Sequence, residues 1–201
     1  MEGTGDVIAV FDFDGTLTRR DTLIDFLLQT FGLPGLAAGL LGAGPVLLTH
    51  ALGLASDHAA KEALFGHYFK GWRLDAFDGR CEGYAAARLP GLMKPEALAR
   101  CDWHQRQGHR LVCVSASIRN WIAPWALPRG FSRVIATEVE TAGGTLTGRF
   151  RGRNCQGPEK VRRFLEVYPA RDRYTLFVYG DSRGDGALLS LADHAFFRRY
   201  A

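Results

Sequence analysis

Short apolar runs alternate along the chain with longer amphipathic stretches. The runs "VIAVF" (7–11), "RLVCV" (110–114), "RVIAT" (133–137), "YTLFVY" (174–179) and "HAFF" (194–197) are several times bounded by Gly, Asp or Ser. Continuous apolar runs of this length predict strands covered on both faces. Between them, "PEALARCDWHQRQG" (95–108) and "PEKVRRFLEVY" (158–168) open with Pro and Glu, as helices do. The alternation predicts an α/β protein with a parallel sheet between helical layers. "ATEVETAGGTLTGRF" (136–150) reads differently, as two strands around a Gly143-Gly144 turn, and predicts an appended hairpin of architectural role. Residues 21–95 hold helix-like segments and no strong strand. They predict an inserted helical cap between the first strand and the second, leaving 1–20 and 96–201 as the core.

One part of that insertion has its own pattern. From Phe26 to Ser56 there is no Asp, Glu, Lys or Arg. A membrane span needs about 20 apolar residues, but six glycines together with Pro34 and Pro45 argue against one continuous span. Two short helices meeting near Gly44-Pro45 are expected instead. Either they pack on each other inside the cap, or they line an apolar entrance or rest on a bilayer beside the basic pair Arg19 and Arg20.

Composition narrows the classes. With 201 residues, 47% of them hydrophobic, the chain can bury a globular core and a small second unit. A net charge of +4 and a pI near 9.0 suit an anionic substrate or an acidic membrane surface. The basic residues are scattered rather than clustered, so no nucleic-acid partner is expected. The N-terminal "MEGTGDV" has no basic region followed by an apolar one, and cytoplasmic residence is the expectation, with peripheral attachment to the inner membrane face if the uncharged segment meets lipid. Cys81, Cys101, Cys113 and Cys155 form no CxxC pair and read as reduced packing residues. The six histidines are dispersed, none at HxxxH spacing, and read as ordinary surface or core residues.

In open α/β sheets ligands bind beyond the carboxyl ends of the strands. The residues collected there are Asp12 and Asp14 after the first run, Ser115 after the second, Lys160 at the start of a helix, and Asp181 with Asp185 after the fourth. Four carboxylates in one cleft repel unless a cation joins them, and a set of hard oxygen donors points to Mg²⁺. A carboxylate held on such an ion is an ionised nucleophile, whereas a carboxyl beside it, off the metal, has its pKa raised by like charge and can hold a proton. Ser115 can donate a hydrogen bond to a phosphate oxygen and Lys160 can neutralise one of its charges. Lys160 falls in a first helical turn, where the macrodipole disfavours a cation, so an anion beside it explains its place; the alternative is a solvated surface lysine.

"DFDGT" after an apolar strand, "VCVSAS", Lys160 and "YGDSRGD", in that order, resemble the four motifs of the haloacid dehalogenase superfamily of phosphohydrolases. The insertion resembles the cap of its phosphoserine phosphatase-like branch. The resemblance implies a Rossmann-like three-layer core with a C1-type cap. It also implies Asp12 as the nucleophile that forms an aspartyl-phosphate and Asp14 as the acid that protonates the leaving alcohol and then activates water. Mg²⁺ would be held by Asp12, the backbone carbonyl of Asp14 and Asp181, with Asp185 supporting metal-bound water or Lys160, and Ser115 and Lys160 gripping the phosphoryl group. Dehalogenases lack the second carboxylate and P-type ATPases carry Thr there, so Asp14 leaves a phosphatase or a phosphomutase.

The substrate is less determined. Phosphoserine phosphatases of that branch carry Glu nine residues after the nucleophile, where this chain has Asp21, and Gly-Gly after the serine, where it has Ala116 and Ser117. The uncharged segment and "NCQGPEKV" are similar to the bacterial phosphatidylglycerophosphate phosphatases of the superfamily. The expectation is a phosphomonoester hydrolase acting on a lipid phosphate such as phosphatidylglycerophosphate. Phosphoserine or another small-metabolite phosphate is the alternative, and a phosphomutase or a silent membrane-binding scaffold the more distant ones.

Overall fold

The computed structural model describes residues 6–200; the N-terminal "MEGTG" and Ala201 lie outside them. Strand β1 (Asp6–Phe11) sends Ile8 and Val10 to one face of the sheet and Ala9 and Phe11 to the other, and all four are buried. The same period of two divides β2 (Arg110–Ile118) into Val112 and Val114 against Leu111 and Cys113. Both faces are apolar because helices cover both, and each such side chain withdrawn from water stabilises the fold by about 1.5–3 kcal/mol. With β3 (Phe131–Thr137), β6 (Tyr174–Gly180) and β7 (His194–Phe197), the strands form a five-stranded sheet in the order β3-β2-β1-β6-β7, every pairing parallel. The five apolar runs are all present as strands of this one sheet.

Helices α7 (Pro158–Val167) and α8 (Gly186–Leu191) close one face through Phe164 and Leu188. Helices α5 (Pro95–Arg106) and α6 (Arg119–Ala126) close the other through Cys101, Trp121 and Trp125. Four further helices stand between β1 and α5: α1 (Thr22–Gly42), α2 (Gly44–Ala51), α3 (Asp57–Phe69) and α4 (Leu74–Ala87). This is a Rossmann-like core with an inserted cap. Phe26 stacks on Trp121 of α6 at 4.8 Å and meets Phe69, Phe77 and Tyr84 of the cap, so core and cap share one apolar cluster. Asp25 is buried there and takes a two-pronged ion pair from Arg88 at 2.7 and 2.9 Å, plus the Tyr84 hydroxyl at 3.1 Å.

The hairpin has a definite task. Strands β4 (Val139–Ala142) and β5 (Thr145–Phe150) turn through Gly143 and Gly144, whose φ of 57° and 75° match a turn that needs the left-handed region twice. Backbone hydrogen bonds from Gly71 to Leu146, from Leu146 to Trp72 and from Leu74 to Gly144 tie the hairpin to the turn between α3 and α4. Gly66 packs so close to the Gly148 carbonyl that a Cβ on it would lie 2.9 Å away. The hairpin thereby braces the cap against the core.

The uncharged segment is broken where only one junction was expected. α1 and α2 do meet at Ala43, next to Gly44-Pro45, but α1 is 21 residues long and Gly32 interrupts it with φ 70° and ψ 179°. Among the described residues α1 is the one helix long and apolar enough to cross a membrane, with mean hydropathy 1.4 and 28% of that window buried. Its leucines divide. Leu36 and Leu47 pack against the core cluster, while Leu33, Leu41, Leu48, Leu52 and Leu54 are 63–80% exposed and α2 buries no residue.

A polar chain, buried at its centre, runs along one face of the sheet. Arg100 Nε donates to the Tyr179 hydroxyl at 2.6 Å, the hydroxyl meets His104 Nε2 at 2.9 Å, and His104 Nδ1 meets His109 Nδ1 at 2.8 Å. With Tyr179 accepting from Arg100, its own proton goes to His104 Nε2, which leaves the Nδ1 proton of His104 to donate to His109. Burial, then the neighbouring His109 and Arg100, pushes His104 down to about 3 from 6.5. The unfolded chain takes up this proton near 6.5 and the folded chain does not, so stability is full above that pH and lost progressively as pH falls toward 3. His104 therefore contributes a loss of stability between about pH 7 and pH 5, opposed in the same window by Asp12 and Asp14, whose raised carboxyls take up protons in the folded chain first. In His104→Gln, neutral throughout, the melting temperature should fall less, or rise more, from pH 7 to pH 5 than in the wild type; the same pH dependence for both proteins in calorimetry would refute the assignment.

Candidate active site

The chain turns sharply at the end of β1. Asp14 takes extended angles, Gly15 has φ 76°, and a Cβ on Gly15 would sit 2.2 Å from Asp181 Oδ2, so glycine is what lets this loop approach the loop after β6. Lys94 Nζ and the Tyr200 hydroxyl donate to the Gly15 and Thr16 carbonyls and hold the turn from outside.

Asp12 is buried, its N–H on the Tyr179 carbonyl at 3.0 Å. Lys160 enters from the first turn of α7, is 2% exposed, and donates to Asp12 Oδ1 and Asp185 Oδ1 at 2.6 Å each. It is therefore no surface lysine. Burial alone would depress its ammonium, and the two carboxylates more than offset that, holding it above the usual range. Asp185 organises its own loop, accepting from the Asp181 N–H, the Ser182 N–H and the Ser182 hydroxyl at 2.8–3.1 Å. Burial works against its charge, but Lys160 and the Ser182 donors hold its carboxyl below the ordinary value. Asp12 is different: burial pushes it up to about 7, with Asp185 and Asp14 adding to the rise against Lys160.

Single carboxylate oxygens of Asp12, Asp181 and Asp185 lie within 4.8 Å of one another. Three hard anionic oxygens at that spacing, two of them on carboxyls that burial raises, Asp12 and Asp181, fit a small divalent cation. The Asp14 carboxyl stands outside this group. Its Oδ1 accepts from Thr22 N at 2.9 Å and Thr22 Oγ1 at 2.6 Å, and Thr22 is itself fixed by Ser117 and Trp121. Burial, then the Asp21 charge, pushes Asp14 up to about 6. Like charge contributes as expected, but burial is the larger cause and the like charge named after it comes from Asp21.

Ser115 departs from its expected place after the strand. β2 continues to Ile118, although its pairing with β3 shifts register between Ser115 and Ile118, and Ser115 Oγ accepts from Ser117 N at 3.0 Å at that irregular end. Asp21, aligned by resemblance with a substrate-binding acid, caps α1 by accepting from Ile24 N at 3.0 Å.

Asp12, Asp14, Asp21, Ser115, Lys160 and Asp181 line one cleft of about 420 Å³, together with Arg19, Arg20, Asp57, Lys61, Asn154 and Gln156, while Asp185 lies behind it. Lys61 is the residue that sequence reasoning missed. It projects from cap helix α3 and donates from Nζ to the Ala116 carbonyl of the core at 2.7 Å. Gln156 Nε2 bridges the same two parts, donating to Asp57 Oδ2 at 2.7 Å. A lone Lys in "HAAKEALFG" carries no signal of this reach; only "NCQGPEKV" flagged the opposite wall.

Fold and site together define a capped α/β enzyme whose chemistry lies at the carboxyl edge of a parallel sheet. The sequence matches the model of the haloacid dehalogenase-like hydrolases over residues 9–190, and the chain belongs to that family. It is 32% identical to protein CicA of Caulobacter vibrioides over 193 residues, 96% of this chain and 86% of that one. Among solved structures it is similar to a protein of unknown function from Bordetella pertussis Tohama I, with TM-score 0.79 and 23% identity over 93% of this chain and 87% of that one. It is also similar to a phospho-aspartyl intermediate analogue of phosphoserine phosphatase, with TM-score 0.60 and 16% identity over 94% of this chain and 84% of that one.

Proposed function

We propose that the protein is a Mg²⁺-dependent phosphomonoester hydrolase working through an aspartyl-phosphate. The observation that carries this reading is the Lys160 ammonium shared at 2.6 Å between Asp12 and Asp185, beside the three-carboxylate group. Mg²⁺ would be held by Asp12, Asp181 and the Asp14 backbone carbonyl, with Asp185 in support, and would supply charge neutralisation for the incoming phosphate. An Asp12 oxygen attacks phosphorus as the ester oxygen leaves, and Asp14, carrying a proton, donates it to that oxygen. Asp14 then takes a proton from the water that cleaves the acyl phosphate, which regenerates Asp12 and releases phosphate. Lys160 and Ser115 bind the phosphoryl oxygens throughout.

Two substrate readings remain, each with its own support. The polar cleft favours a small leaving group, phosphoserine among the candidates. The exposed leucines of α1 and α2 favour a lipid phosphate met at a bilayer surface, with the cap as a peripheral membrane contact. A phosphomutase or a silent scaffold has no observation of its own. The test uses the full chain with nitrophenyl phosphate, phosphoserine, and phosphatidylglycerophosphate in vesicles, each with Mg²⁺ and with chelator. Phosphate release is expected with Mg²⁺ alone, and its absence from every ester would overturn the phosphatase reading. If the lipid reading holds, Leu41→Glu and Leu52→Glu lower vesicle activity by about tenfold or more and spare nitrophenyl phosphate; an unchanged ratio of the two activities discards it.

A further inference from the structure

Arg198 is the one non-glycine residue with positive φ among the described residues, and it stands where β7 leaves the sheet. β7 is an edge strand, paired with β6 as far as Gly180 and Phe197. A further backbone bond, from Arg198 N to the Gly180 carbonyl at 2.9 Å, continues that pairing. At φ 56° the chain then enters the left-handed region, which costs an arginine steric strain and persists only where the surroundings hold it. The turn carries the next residues across the loops that follow β1 and β6. Arg198 Nε donates to the Asp181 carbonyl at 2.9 Å, and two residues on the Tyr200 hydroxyl donates to the Thr16 carbonyl at 2.6 Å.

These two bonds close a ring. Thr16 Oγ1 donates to Asp181 Oδ1 at 3.2 Å, so the loop after β1 and the loop after β6 are joined once side chain to side chain and once through Arg198 and Tyr200. The Tyr200 ring is half-buried and lies nearly parallel to that of Tyr179, 6.3 Å away with 14° between the planes. Burial pushes its hydroxyl up to about 12, with Glu96 and Asp181 adding to the rise, so it stays a donor at neutral pH. Neither Arg198 nor Tyr200 lines the cleft. They meet backbone carbonyls and no reacting atom, so their part in the chemistry is one of position.

What they position is the gap between Asp12 and Asp181, one from each loop, whose oxygens belong to the three-carboxylate group. Mg²⁺ demands close, near-octahedral oxygens, whereas Ca²⁺ accepts longer and less regular ones. Two loops fixed at one separation favour the smaller ion, and two loops free to spread lose that preference. Outer partners of this kind govern metal affinity by orienting the ligands. Resting on the Mg²⁺-dependent reading above, we infer that Arg198 and Tyr200 are positioning residues that fix the separation of the two acidic loops and thereby set the preference of the site for Mg²⁺ over Ca²⁺.

The experiment titrates Mg²⁺ and, separately, Ca²⁺ into the substrate-free full chain by calorimetry. Tyr200→Phe keeps the ring against Tyr179 and removes only the hydroxyl, while Arg198→Asn removes the guanidinium and leaves a residue that tolerates the left-handed turn. Each single change should raise the Mg²⁺ Kd by about fivefold and the two together by about tenfold or more. The Ca²⁺ Kd should stay within about twofold of wild type, so the ratio of the two constants falls. The metal-free melting temperature of Tyr200→Phe should drop by no more than about 4 °C, the scale of one lost hydrogen bond in a chain of this size. An unmoved Mg²⁺ Kd in the double variant overturns the inference, and so does equal weakening of both ions, which a general loosening of the fold would give. If the double variant does not fold, the ratio in Tyr200→Phe decides alone. A wild type that binds Mg²⁺ no more tightly than Ca²⁺ also overturns it. Because affinity is read without substrate, a wild type that binds Mg²⁺ yet releases phosphate from no ester refutes the phosphatase reading and leaves this one standing. Unmoved affinities in variants of an active phosphatase do the reverse.

Discussion

Asp12→Asn is expected to abolish phosphate release, with a loss of roughly 10⁴-fold or more. The amide keeps an oxygen for the Lys160 ammonium and the N–H that rests on the Tyr179 carbonyl, so the loop geometry survives. What disappears is the nucleophilic charge. That charge is costly in the folded protein, since burial pushes the Asp12 carboxyl up to about 7. The variant should consequently melt no lower than the wild type at pH 8 without added metal, which separates loss of chemistry from loss of fold. This is the pattern of a site held in a strained electrostatic state for function. Turnover within about 100-fold of wild type in a folded variant would remove Asp12 from the mechanism.

The parts of the molecule that announce themselves in the sequence are those whose pattern is local. The strands are legible because helices cover both faces, so Ile8, Val10, Ala9 and Phe11 are all apolar and the run stands out. Gly143-Gly144 is legible because a two-residue hairpin turn needs positive φ twice. Asp12, Asp14, Asp181 and Asp185 are legible as acids at strand ends, where a sheet of this kind has its cleft. What is not legible depends on docking between distant segments. Lys61 reaches Ala116 because Phe65 of the same helix packs on Phe150 at 5.4 Å and Gly66 lies against Gly148, and nothing in the spacing of α3 encodes that contact. The interruption at Gly32 is hidden because a glycine in an apolar helical run is common, and only the observed angles separate a tolerated one from a break. Asp21 illustrates another ambiguity, since an acid at a family's substrate position also satisfies the rule for a helix cap, and here it caps α1 while lining the cleft.

Asp14→Asn should separate proton transfer from nucleophilic attack. Its Oδ1 is occupied by the Thr22 N–H and hydroxyl at 2.9 and 2.6 Å, and an amide oxygen can accept both, so the side chain should stay where it is. Asp14 lines the cleft beside Ser115 and Lys61, where a leaving oxygen needs a proton as its bond to phosphorus breaks. With its pKa pushed up to about 6 by burial and by Asp21, the group carries that proton in a useful fraction of molecules near neutral pH, which an ordinary surface aspartate does not. Removing it should slow an alkyl phosphate by roughly 10² to 10⁴-fold. Nitrophenyl phosphate should lose far less in its first step, because nitrophenolate departs without protonation. The remaining slowness would then lie in hydrolysis of the acyl phosphate, where Asp14 activates water, and phosphorylated protein should accumulate. Rapid-quench measurement of nitrophenolate release against phosphate release resolves the two steps, with a burst of the first expected in Asp14→Asn. Equal losses for alkyl and nitrophenyl esters with no burst would show that Asp14 does something other than move a proton.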